Sequence, residues 1–393
     1  MLRDLLRFLT SRAPARQPAP AVEDPALSDT YRVVPDPRQC FEFEPMTEEG
    51  ARRYAFRQMV KYWTLSSEEA AQLQYFPPHV ARLDHGSVLG LSFVPVARDK
   101  RTCLNFFIHN PGNPDKFKNP EVADTLRQVD TESIEGRFDG LDRYDEGVLV
   151  GHNRNFGHWL HNHLARLALV AAAPRLEGVP LVVGESIPPS HLECLERMGY
   201  PDPMLIRLRQ GRLARFRTLW VPTMPLCGFA GRVFWSPGTI DFLRERLGVD
   251  LGACAQPGRR LYITRRTSRW RRVLNEDAVV ALLSLWGFEV VDPGALSIAR
   301  QIEIASEAEI IVGPFGAGMN LLLFAPRDAT VVELNYLSDR MDINPVICRH
   351  IGQRYAAVTA APNIAHARAM DHDFTVAPDD IARTLETMGL RQP

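Results

Sequence analysis

Cysteine is sparse and shows no pairing pattern: Cys40, Cys103, Cys194, Cys227, Cys254 and Cys348 are scattered over 393 residues with no CxxC spacing. That excludes a zinc ribbon and a dense disulfide framework, and fits a reducing compartment. An excess of one charge is also missing. Forty-six basic residues face 47 acidic ones, a formal net charge of −1, so bulk electrostatics give no ground for nucleic-acid binding. No apolar run reaches the length of a membrane span. The opening MLRDLLRFLTSR lacks the uninterrupted apolar core and small-residue cleavage site of a signal peptide, and the expected location is the cytoplasm. Leu2, Leu5, Leu6 and Leu9 fall on one helical stripe, with Arg3, Arg7 and Arg12 elsewhere. The stripe reads as a short docking helix or a frayed tail before it reads as a peripheral contact of residues 1–12 with the inner face of the membrane.

What is present is globular: 45% of residues are hydrophobic and 24% charged. The length calls for more than one core. Residues 1–30 read as an N-terminal segment and Pro/Ala-rich linker (APARQPAPAVEDPALSD), 31–225 as one domain, 226–345 as a second, and 346–393 as a tail with a docking helix over 378–389. In the first domain, 147–150, 179–183 and 216–221 read as strands and 158–173 as a helix, while 99–145 is rich in Asn, Asp, Pro and Gly and reads mostly as loop. The second domain alternates more regularly. Strands are expected at 261–264, 288–291, 309–313 and 330–334, the last being the final strand, and a short helix follows the glycine turn at 315–318. Asn275 stands where it would cap a helix ending at Gly287, and another helix starts near Ser297. Such alternation specifies βαβ units and a parallel, Rossmann-like sheet.

Ligands of open parallel sheets bind beyond the carboxyl ends of the strands. Arg265 and Arg266 stand there, with Gly316, Ala317 and Gly318 of GPFGAG after the third strand and Glu333 on the fourth. Cations, backbone amides and one carboxylate suit a nucleotide diphosphate, with Glu333 on ribose hydroxyls. The run RRTSRWRRVLNED holds five arginines in eight positions, of which one or two are expected on phosphate and the rest in solvent. The other chemistry-bearing stretch is NRNFGHWLHNHLARL, with His158, His161 and His163 within six positions. At about 100° per residue, Leu160, Leu164 and Leu167 share one face; His158, Asn162 and Ala165 lie opposite, His161 at the edge and His163 to another side. The rings do not converge on one point. His158 and His161 could share a metal only with a third ligand that the sequence does not show. A neutral His158 on a polar face could instead act as general base or bind phosphate.

NFGHWLHNHLARL resembles the N-[YF]-x-H-W-L-x-E-x-L-P-R-L signature of the family 61 glycosyltransferases, and residues 259–334 resemble that family's C-terminal half almost throughout. The resemblance covers about residues 145–340 in the family's motif order. It implies an α/β, GT-B-like fold of two Rossmann-like domains facing a central cleft. A nucleotide-sugar donor, usually UDP-linked, would bind the C-terminal domain, and a glycan or lipid-linked glycan acceptor the N-terminal one. Inverting transfer without an essential metal or other cofactor is implied, in line with the lack of a DxD-like cluster at a strand end, and so is a role in surface-polysaccharide biosynthesis. Carried onto this chain, His158 is the candidate base or acceptor anchor. Arg265 and Arg266 would hold the diphosphate, with Arg271 behind them; Gly316, Ala317 and Gly318 would offer amides; Asn320 and Glu333 would meet ribose or sugar. Two departures from the pattern matter. Asn162 stands where the signature has a carboxylate, and Phe315 where GxHGAG has a histidine. If that carboxylate is the family's base, His158, or after it His161 or His163, must replace it here. Two rival expectations follow: a catalytically degenerate nucleotide-sugar or glycan binding protein, and a metal-dependent hydrolase built on His158 and His161.

Overall fold

The structure is a computed structural model. It describes residues 80–89, 93–96, 141–209, 212–222, 226–229, 232–235, 237–249, 258–337, 343–366 and 369–392, with short strands at 32–33, 42–44 and 101–102. The leucine stripe of residues 1–12 and the linker after it lie outside the described residues. The chain forms two compact units, Met1–Leu243 and Arg244–Pro393. Two multi-stranded sheets of mixed α/β topology are consistent with the GT-B-like expectation.

The first unit is built on an eight-stranded sheet. Its strands are β1 (Glu42–Glu44), β2 (Val80–Asp84), β3 (Ser87–Leu89), β4 (Val94–Val96), β5 (Leu141–Gly151), β6 (Leu181–Gly184), β7 (Leu205–Leu208) and β8 (Leu213–Pro222). The path runs β1-β2-β8-β5-β6-β7, with β3 pairing β8 and β4. The run β8-β5-β6-β7 is parallel, and β2 and β3 join β8 antiparallel. Val148–Val150 and Leu181–Val183 are fully buried, as strands covered on both faces require. The loop expected up to residue 145 is replaced from Leu141 onward by the first half of β5. Its Asp142 and Glu146 are hydrogen-bonded to residues at β8, a charged pattern that hides the strand from a hydrophobic reading. Arg212 donates to both oxygens of Asp142 at 2.8 and 2.5 Å, and Glu146 accepts from Trp220 Nε1 at 2.8 Å.

After β5 the chain enters a composite helix: an α-turn (Phe156–His158), a π-helical segment (Trp159–His163), a 3₁₀ turn (Leu164–Arg166) and a further α-helix (Leu167–Ala171). From Trp159 on, all of it but His163 and Ala171 is buried. Asn162 is 4% exposed and Ala165 0%, so neither lies on a polar outward face, and His158 alone of that trio is exposed. The i→i+5 bonding of a π segment advances each residue by less than an α-helix does, and a uniform 100° wheel therefore misplaces the residues after His158. Helix α1 (Pro189–Arg197) follows β6.

The second unit holds a five-stranded, wholly parallel sheet of β9 (Arg259–Ile263), β10 (Phe288–Val291), β11 (Ala308–Pro314), β12 (Thr330–Asn335) and β13 (Arg354–Thr359), in the order β10-β9-β11-β12-β13. Crossovers run through α2 (Glu276–Leu285), α3 (Ile298–Ser306), the 3₁₀ helix Ala317–Leu323 and α4 (Ile343–Ile351). β12 is not the last strand. β13 is an edge strand in which only Val358 is buried, so it carries no apolar run to read. Asn275 precedes α2 without capping it; its side chain instead binds the Val376 backbone, donating to the carbonyl at 2.7 Å and accepting from the amide at 3.2 Å. A short hairpin, β14 (Ala361–Asn363) and β15 (Asp373–Thr375), leads to α5 (Pro378–Thr387). Ile381 and Leu385 of α5 join Tyr262, Val279 and Val332 in one buried cluster.

Candidate functional site

In the first unit, Asn155 starts the composite helix, its Oδ1 accepting from the backbone amides of Gly157 at 2.9 Å and His158 at 3.3 Å. This fixes the turn that presents the exposed His158. One turn on, Asn162 Nδ2 lies 3.1 Å from His158 Nδ1. Donation from that amide leaves the neutral ring protonated at Nε2. With the amide flipped, Oδ1 accepts from Nδ1–H, which puts the ring's lone pair on Nε2. The arrangement can thus serve either as an anchor or as a base. Beneath it, buried Arg166 donates to the Asn162 carbonyl at 2.7 Å and to that of Pro222 at 3.3 Å, and burial lowers its pKa to about 9.

The other histidines go elsewhere. His161 is 5% exposed. His163 Nδ1 donates to the Val150 carbonyl at 2.7 Å, and its ring stacks on Trp159 at 5.6 Å. Trp159 also stacks on His191 of α1, at 4.9 Å. His191 Nε2 donates to the Asn153 carbonyl at 2.9 Å, tying down the loop before Asn155. Among the described residues no group of three or more His, Cys, Asp or Glu could hold a metal ion, so His158 and His161 gain no third ligand there.

In the second unit, strand order reverses between β9 and β11, and the loops after these two strands meet. Arg265, two residues past β9, lies so close on Gly316 that any Cβ there would collide with its guanidinium. Arg265 Nη2 donates to the Trp270 carbonyl at 2.9 Å, while Nε is buried without a hydrogen-bond partner. Burial, with the charge of Arg271 second, lowers the Arg265 pKa to about 10. Arg271 sits over the Phe315 ring, 5.1 Å from its centroid. The sheet's topological switch point therefore holds two guanidinium groups, an aromatic face and a glycine without room for a side chain.

The remaining arginines are engaged. Arg266, ranked beside Arg265 from sequence, is 61% exposed and pairs with Glu276 at 3.1 Å and Asp277 at 2.5 Å. Arg269 lies over Trp270 at 4.5 Å, and Arg272 grips Asp373 at 2.6 Å. Gly318 packs against Ile263 Cγ2, a packing role, and the seven residues Ala317–Leu323 form a 3₁₀ helix, too short to offer an α-helical N-terminus. Asn320 is buried and donates to the Ala317 carbonyl at 2.6 Å. Glu333 is fully buried; Asn335 donates to Oε1 at 2.5 Å and Asn344 to Oε2, so amides already hold both oxygens. Burial raises its pKa to about 7.

Sequence reasoning passed over Asn155, Arg166 and His191 as positioning residues. The first two are fixed letters of the signature itself; His191 lies outside it, with no local signal. Residues 156–332 match the family model Glycosyltransferase 61, a span that includes the composite helix, the arginine loop and the FGAG turn. Over 102 residues the chain is 33% identical to an EGF domain-specific O-linked N-acetylglucosamine transferase of Drosophila melanogaster, covering 25% of this chain and 19% of that relative. The family match supports membership of this chain in glycosyltransferase family 61 and, with it, a glycosyltransferase role.

Proposed function

We propose that this protein is an inverting glycosyltransferase that takes a sugar from a nucleotide-diphosphate donor, UDP-linked by preference, to a hydroxyl of a glycan or lipid-linked glycan in surface-polysaccharide synthesis. The observation that carries the reading is Arg265 against Gly316 with the charge of Arg271 nearby, over Phe315, at the switch point. Two fixed cations and a glycine-lined approach match a leaving diphosphate, whose charge grows as the glycosidic bond breaks. On the acceptor side, His158 with its Asn162 partner supplies the nitrogen that takes the hydroxyl proton. The name of the Drosophila relative makes UDP-N-acetylglucosamine the first donor to try.

The test is a calorimetric titration of the full chain with UDP, GDP, CMP and their sugars. One nucleotide family is expected to bind at micromolar level, and Arg265→Ala to weaken it at least tenfold. A wild-type protein that binds none of them, or an Arg265→Ala variant that binds as well as wild type, sinks the reading. A binding protein without turnover is the second reading, favoured by Asn162 where a carboxylate would orient His158. Donor transfer or hydrolysis that disappears in His158→Ala while donor binding persists rejects it.

A further inference from the structure

Strand β10 ends, beside the switch point, on an acid. Asp292 follows Val291, and this end of the strand is tied to β9, the Thr264 amide donating to the Val291 carbonyl at 2.9 Å. Both carboxylate oxygens are held in place. The Gly294 amide donates to Oδ1 at 3.0 Å, and Thr267 Oγ1, from the arginine loop, donates to Oδ2 at 2.9 Å. Buried Gln301 fixes the turn behind, its Nε2 donating to the Pro293 carbonyl at 2.9 Å and to that of Leu296 at 3.2 Å. Pro293 in turn stands beside Gly318 of the FGAG turn, where an added Cβ would come within 3.7 Å of its ring. Asp292 is thus joined to the loops that carry Arg265 and Gly316. Its charge reaches the Arg265 guanidinium and opposes the fall of that pKa.

An acid in this place works against an anion receptor, because it repels the phosphate that Arg265 would draw in. What it suits is a hydroxyl. A carboxylate offers about four acceptor sites. Gly294 and Thr267 each take one, on different oxygens, and Asp292 is partly exposed, so each oxygen keeps room for an O–H donor. Neighbouring acids are otherwise engaged. Glu333 is enclosed by Asn335 and Asn344, Glu276 accepts from Tyr262, Thr264 and Arg266, and Asp373 holds Arg272. We infer that Asp292 binds the vicinal hydroxyls of the donor's ribose, one on each carboxylate oxygen, and so makes the site select a ribonucleotide over its deoxy counterpart. The inference rests on the reading of the second unit as a nucleotide-diphosphate site. It moves the ribose contact from Glu333 to an acid on the other side of the switch point.

Calorimetry on the full chain with UDP and with 2′,3′-dideoxy-UDP reads this directly. Wild type is expected to bind UDP about ten- to a hundredfold more tightly, the range of hydrogen bonds to a charged group. In Asp292→Ala that ratio is expected to fall to about one through lost UDP affinity. Dideoxy-UDP should bind the variant at least as tightly as wild type, because a repelling charge is gone. Asp292→Asn keeps an acceptor for the Gly294 amide and so preserves the turn. It is expected to shrink the ratio at least about threefold, since a neutral acceptor binds a hydroxyl more weakly than a charged one. A carboxylate that served only the turn would leave the ratio where it was. The inference is overturned if wild type binds the two compounds alike, or if either variant keeps the wild-type ratio. UDP binding that is lost in Arg265→Ala but does not distinguish the dideoxy compound removes this inference and leaves the diphosphate reading standing. No binding of UDP by wild type removes both.

Discussion

His191 is a ring whose protonation the fold resists. It is 1% exposed, and burial lowers its pKa to about 4, with its bond to the Asn153 carbonyl opposing and nearby His152 adding to the fall. The unfolded chain takes up this proton near pH 6.5 and the folded one only near pH 4, so the unfolded state binds more protons between those values. Stability from this residue is complete above pH 6.5 and lost as pH falls toward 4, by up to about 3 kcal/mol. Glu333 works with the opposite sign, since its raised pKa makes the fold lose stability as pH rises from about 4.5 to about 7. The prediction is therefore a difference: melting temperatures of wild type and His191→Phe, from pH 7.5 to 4.5, should show a shallower acid-side fall for the variant. Parallel curves would contradict it. At this scale the sequence marks which residues matter more readily than what they do. Arg265 and Arg266 are neighbours of one type, and only the geometry sends one onto Gly316 and the other onto Glu276 and Asp277. Glu333 looks like a strand-end ligand in sequence because the two asparagines that enclose it, Asn335 and Asn344, carry no pattern.

Among elements, the composite helix carries the most. Its start is set by Asn155, whose side chain binds the two amides that precede and include His158. Removing such a cap costs a helix about 1 kcal/mol. Asn155→Ala is expected to lower unfolding stability by that amount in a denaturant titration and to reduce kcat for sugar transfer severalfold, with donor affinity unchanged. A variant with lowered stability and undiminished kcat would show that the cap serves the fold alone. The helix itself was legible from its leucines, but its π segment was not, because bonding period depends on packing that no local pattern encodes. Strands show the same divide. β6, β11 and β12 are buried runs of Val, Ile and Leu and read directly, whereas the charged first half of β5 and the exposed edge strand β13 depend on partners far along the chain.

For the molecule as a whole, the proposed donor site lies in the second unit. Hydrogen exchange with saturating UDP should slow amides around 264–272 and 315–318, while residues 155–166 exchange as in the free protein. The protection should vanish in Arg265→Ala; protection around 155–166 instead would place the nucleotide in the first unit. The parallel alternation of the second unit was readable from periodicity, since repeated βαβ patterning is a property of the chain itself. The junction between the arginine loop and the C-terminal hairpin was not, because it joins residues 101 apart: Arg272 to Asp373 and Asn275 to Val376. That junction has a consequence for the order of assembly. A chain emerging from the ribosome completes β9 and the FGAG turn early, but the Arg272 amide has its Asp373 acceptor only once residue 373 has been made. A nascent chain thus carries Arg265, Arg271 and Gly316 well before the hairpin that anchors their loop exists.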